Sequence, residues 1–136
     1  MIERVLLSGF YIGIVSFLYF RFLMDQNVPL VEAQNMVLLL MVLFENMMIL
    51  NARSENKSAF SLSFLNNPIL VFGTIASQLI HIAAMYVPSL RSILGTSPVH
   101  LNDWLMLLAV ASSIVILIEI YKKFRNIKSN HVIMDR

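Results

Sequence analysis

No cysteine occurs in the chain, which excludes disulfide frameworks, thiolate metal sites and cysteine nucleophiles together. Charge is scarce as well. Asp, Glu, Lys and Arg make up 13% of the residues, against about 25% in an ordinary soluble domain, so most of the surface must face something other than water. The motifs that mark catalysis are missing: there is no GxxxxGK[ST] phosphate loop, no HExxH helix and no serine elbow. The aspartates are Asp25, Asp103 and Asp135, and none lies in a phosphorylation-type Asp-Lys-Thr-Gly sequence. These absences argue against nucleotide binding, a phosphoenzyme or any independent catalysis by this chain. The cations gather at the ends of apolar segments and form no face for nucleic acid. There is no low-complexity tract, and no repeat beyond the apolar segments themselves.

Those segments dominate what is present. Hydrophobic residues are 58% of the 136, and mean hydropathy is +0.76. A helix that crosses a bilayer needs about 20 predominantly apolar residues, and the chain offers four such stretches, at about 5–24, 31–51, 69–87 and 104–121. They nearly exhaust its length, which predicts an all-α, polytopic four-transmembrane-helix bundle forming a single membrane domain over 1–136. The first stretch is too long for a signal-peptide core and lacks a small-residue cleavage pattern, so it reads as a retained span. Asp25, Gln26, Asn27 and Pro29 make a short polar turn, and 52–67 a polar loop. Pro68 suits the first turn of the third span, while Pro88, Gly95 and Pro98 predict an irregular connection after it. Asn102 or Asp103 is the expected N-cap of the fourth span, with Trp104 as an interfacial anchor.

Counting cations orients the bundle. With four spans, Arg4, Arg53, Lys57, Lys122, Lys123, Arg125, Lys128 and Arg136 share one side, and Arg21 and Arg91 the other. Eight against two is a positive-inside bias that predicts cytoplasmic termini in a multi-pass protein of the cell membrane. An odd number of spans would separate the basic tail from the basic middle loop.

Glu45 is the most informative residue, because an ionised side chain within hydrocarbon costs at least about 2.5 kcal/mol and usually faces protein or an aqueous path. One reading is a protonated Glu45 hydrogen-bonded to a neighbouring helix. The other is an ion ligand or proton carrier. Asn46 and Asn51 add amide oxygens nearby, and oxygen ligands suit hard cations such as calcium, sodium or magnesium. Met41 and Met48, one turn either side, read as adaptable packing, since neither cysteine nor a nearby histidine supports a Cu(I) site. One carboxylate and two amides do not complete a shell of six to eight oxygens, so other helices must supply most of it. His81 and Gln78 share a turn of the third span, where a hydrogen-bonded packing role competes with a ligand or relay role. Gly9 and Gly13 form a GxxxG and Gly73 with Ser77 a small-xxx-small pair, spacings that let helices approach closely. Glu119 is spaced to pair with Lys122 or Lys123.

The run EAQNMVLLLMVLFENMMILNARSE, Glu32 to Glu55, resembles the eighth membrane helix of type-II P-type cation pumps, which begins with Glu-Ala and ends in Asn-x-x-Ser-Glu or Asn-x-Arg-Ser-Glu. Asn51, Arg53, Ser54 and Glu55 occupy those last places. Asp103 and Trp104, followed by an apolar helix ending in Glu119, Ile120 and Lys123, look like that family's tenth helix. The likeness runs over about residues 4–125, the seventh to tenth membrane helices of such a pump. In the calcium pumps of the sarco/endoplasmic reticulum the acid nine residues before the signature serine is a calcium ligand, and Glu45 stands nine before Ser54. Bacterial members often carry Gln or another residue there, so the acid points to a charged-ligand site without choosing the ion.

The resemblance implies a domain that buttresses the transport helices and gives a carboxylate to a cation site. The other ligands and the phosphorylation, nucleotide and actuator domains would lie outside this chain, as its partners, alongside the lipid bilayer. No cofactor is implied in the chain itself beyond a bound cation, calcium or another hard one. A rival reading is a stand-alone four-helix membrane protein that binds or regulates a partner, and a third is a small homo-oligomeric transporter with Glu45 in a shared pathway.

Overall fold

A computed structural model describes residues 2–51 and 68–134, the side chains of Leu50 and residues 125–134 excepted. The described residues form five helices: α1 (Ile2–Asp25), α2 (Leu30–Asn51), α3 (Pro68–Tyr86), α4 (Pro88–Leu94) and α5 (Leu101–Met134). All but α4 are long and apolar enough to cross a membrane. The signature residues Arg53, Ser54 and Glu55 lie outside the described residues.

The turns follow from local chemistry. Asn27 takes a left-handed φ of 58°, a conformation Asn tolerates better than most residues. That lets the Val28 amide reach back to the Leu23 carbonyl at 3.1 Å, and α2 then starts after Pro29, whose carbonyl accepts from Ala33. Two expectations change beyond α3. The connection is not simply irregular, because Pro88 opens the short helix α4, which Gly95 closes at φ 63°. Pro is pre-shaped for a first helical turn and Gly for a left-handed C-terminal cap. The last helix begins at Leu101, so Asn102 and Asp103 lie within its first turn instead of capping it, and the Trp104 amide bonds to the His100 carbonyl. At 34 residues α5 is about 50 Å long, well beyond the roughly 30 Å hydrocarbon layer.

α2 is the hub, packed against α1, α3 and, most extensively, α5, while α1 also touches α5. Its buried face runs through Ala33, Leu40 and Phe44 to Asn51. Successive residues turn about 100° around a helix, which brings these four to one side. On α5 the stripe Leu107, Ala111, Ile114, Ile118 meets it. Outward faces carry large apolar groups such as Phe10, Phe17, Ile69 and Phe72, all more than half exposed within the chain, the inverse of a water-soluble surface.

Within this chain the small residues meet no neighbouring helix. Gly9, Gly13, Gly73 and Ser77 all face outward, and nothing lies within 4 Å of where a Cβ would stand at the three glycines. α1 instead turns Ser8, Ser16 and Leu23 inward. The GxxxG register is offset by one residue from the buried Ser8, so the glycines flank that face.

Candidate cation site

Three faces of α2 carry its polar side chains in three directions. Asn51, its last residue, is almost fully buried, and its Oδ1 accepts a 2.6 Å hydrogen bond from Lys122 Nζ of α5. Asn46 is buried on another side, its Nδ2 donating to Gln78 Oε1 of α3 at 2.9 Å. Asn35, about three turns earlier and on nearly the same side as Asn46, donates to Ser97 Oγ at 2.9 Å. Tyr19 of α1 donates to Met36 Sδ at 3.8 Å, so α1 covers a further side.

Glu45 lies on the sector that these neighbours leave open. It is exposed within the chain, in line with Val31, Gln34, Leu38 and Met41, which are exposed too. Around the helix it stands about 120° from Asn51 and about 100° from Asn46. The three residues singled out for oxygen ligation are therefore not brought together: Asn46 and Asn51 are engaged with α3 and α5, and Glu45 faces away from both. Among the described residues no group of three or more His, Cys, Asp or Glu gathers to hold a metal. A hard cation asks for six or more oxygens, and Glu45 supplies at most two.

The polar centre that sequence reasoning missed is Lys122. It reads as part of the exposed basic tail, yet its side chain is 5% exposed and lies 3.0 Å from Glu119 Oε1 as well as 2.6 Å from Asn51 Oδ1. The Glu119 pairing follows the expected three-residue spacing. A further signal was available, since Lys122 continues the 107, 111, 114, 118 stripe by one more helical turn. A second tie at this end joins α5 to α1, where Tyr121 donates to Glu3 Oε2 at 3.1 Å.

Gln78 and His81, paired on one turn of α3, point toward the interior, and their Nε2 atoms are buried without a partner, as is Asn51 Nδ2.

Comparison with known proteins agrees with this architecture. The family described as "Cation transporting ATPase, C-terminus" matches residues 1–124. A calcium-transporting ATPase of Plasmodium falciparum is 36% identical over 92 residues, 68% of this chain and 8% of the relative. Calcium-transporting ATPase 1 of Schizosaccharomyces pombe is 31% identical over 128 residues, covering 94% of this chain and 14% of its own length. A probable cation-transporting ATPase F of Mycobacterium bovis is 26% identical over 118 residues, 87% and 13% of the two chains. The chain thus spans only a small part of each relative, and the part it spans is the apolar four-helix unit described above. By its fold and by this match it is an integral, multi-pass membrane protein that belongs to the cation-transporting ATPase C-terminal family, the membrane domain of calcium-pump-like P-type ATPases.

Proposed function

We propose that this domain holds the transport helices of a P-type cation pump in place and presents the Glu45 carboxylate to the cation path. The cation is calcium or another hard ion, and hydrolysis belongs to domains outside this chain. The observation that carries the reading is the position of Glu45. It stands six residues before the end of α2 on a sector that no neighbour in this chain fills, while every other side of the helix is packed. Leaving a carboxylate against hydrocarbon costs at least about 2.5 kcal/mol. Further helices laid over the Val31–Glu45 face would remove that cost and supply the missing oxygens. Gln34 on the same line is a second polar group suited to a protein neighbour. The orientation follows from the cation count, with both termini cytoplasmic in the cell membrane.

The test is Glu45→Gln in the membrane-embedded pump that carries this domain. The expected result is a rise of at least about tenfold in the cation concentration that half-activates phosphorylation or turnover, equivalent to about 1.4 kcal/mol, with membrane expression unchanged. An unaltered cation dependence would remove Glu45 from the path. Hydrolysis of ATP by the purified chain alone would overturn the division of labour.

A further inference from the structure

We infer that Lys122 is a positioning residue: by tying Asn51 of α2 to Glu119 of α5, it sets how α2 is turned about its own axis, and so where Glu45 points. The importance of that direction rests on the transport reading above; the tie itself does not.

The argument starts from a buried ammonium. Lysine is almost never buried unless paired, and an exposed position was available to it, as Lys123 next door is exposed. Lys122 instead turns inward toward both helices, with Asn51 Oδ1 at 2.6 Å and Glu119 Oε1 at 3.0 Å. An ammonium carries three donors and no acceptor, so it bridges acceptors from two helices where a carboxamide or hydroxyl would have to mix roles. The Glu119 bond is within α5 and holds the lysine stem against its own helix. The Asn51 bond crosses to α2 and is the directional one. Apolar contacts below it, Ala33, Leu40 and Phe44 against the α5 stripe, hold the helices together, but apolar attraction is non-directional. A charge-assisted hydrogen bond at a single angular position does not have that freedom.

Position makes the bond effective. Asn51 and Glu45 are six residues apart on one rigid helix, about 9 Å along the axis and about 120° around it. Pinning Asn51 toward α5 therefore directs Glu45 away from α5 and into the open sector. At the other end α2 is held by Asn35 to Ser97, and midway by Asn46 to Gln78. Both of those bonds act on the α3 side, which leaves Lys122 as the polar tie on the α5 side of α2 among the described residues.

The natural absence of cysteine makes the test clean, since each introduced cysteine carries the only nitroxide label. The full chain is placed in lipid nanodiscs with a label at Met41→Cys, on the Glu45 line, or at Leu40→Cys, on the α5 face. Collision with dissolved oxygen should be frequent at position 41 and rare at position 40. Lys122→Met keeps the stem and removes the charge; it should erase most of that contrast, and Lys122→Arg should restore it. A label at Phe10→Cys against one at Ser16→Cys monitors α1, and its contrast should persist in Lys122→Met. Loss of both contrasts would mean general unfolding and would overturn a specific role for Lys122, as would an unchanged 40/41 contrast.

In the complete pump, Lys122→Met should raise the half-activating cation concentration about three- to tenfold, toward the lower end of the range for residues coupled through one network, with the maximal rate retained. A fall in maximal rate with no change in that concentration would overturn positioning. If Glu45→Gln leaves cation dependence untouched, the transport reading fails, while the nanodisc result still decides whether Lys122 sets the rotation of α2.

Discussion

α2 and α3 invite comparison because their compositions suggest the wrong answer about which is buried. The apolar window of α3 is the more hydrophobic of the two, at 1.7 against 1.4, yet 6% of its residues are buried against 44% for α2. In water the greasier helix would go inside. In lipid, burying one apolar side chain against another gains little, since hydrocarbon surrounds both, and association comes from close packing and interhelical hydrogen bonds. The residues of α2 that are buried accordingly include Asn35, Asn46 and Asn51, while Ile69 and Phe72 of α3 stay exposed. α2 is central because it carries the amides and a face that fits α5.

The sharpest way to break this contrast is Phe44→Ala. Phe44 is fully buried, with Tyr11 edge-on at 6.1 Å, and truncation should cost about 3 kcal/mol through the cavity left behind, measured by reversible unfolding of the chain in mixed micelles. A loss below about 1 kcal/mol, well under the usual cost of truncating a buried aromatic, would mean that the α2–α5 seam is no tighter than the rest. Next in size is Asn46→Leu, which removes the bond to Gln78 and adds hydrocarbon. Interhelical hydrogen bonds in membranes average about 0.6 kcal/mol, and the effect should be confined to α3, read as faster hydrogen exchange there with α1, α2 and α5 unchanged. The smallest effect belongs to Phe72→Ala, at an exposed position. In the isolated chain it should change stability by less than about 0.5 kcal/mol. A larger change would show that α3 is packed more tightly than its exposure indicates.

The division between legible and illegible residues follows the same physics. The helices could be read directly, because an apolar run of that length must satisfy its backbone hydrogen bonds internally in lipid. The Glu119–Lys122 pair was also legible, being set by spacing along one helix. Lys122's burial was not, since its place in a basic run looks like a solvated tail until α2 arrives beside it. Gly9 and Gly13 pose a different case, because within this chain they face outward. A GxxxG spacing describes what a helix face permits, and which face meets a neighbour is decided by the other helices. Likewise, an acid at position 45 announces that something must shelter it, while adjacent amides at 46 and 51 look like co-ligands only until helical rotation separates them.

By itself, then, the sequence determined four membrane-length helices, their order and one carboxylate in need of company, because hydropathy and backbone hydrogen bonding act along the chain. Only the tertiary structure decided that α2 is the hub, that Lys122 goes inside and that Glu45 faces the open sector. Those outcomes depend on which helix faces fit each other across space, and hydropathy, nearly uniform around α2 and α5, says little about their direction.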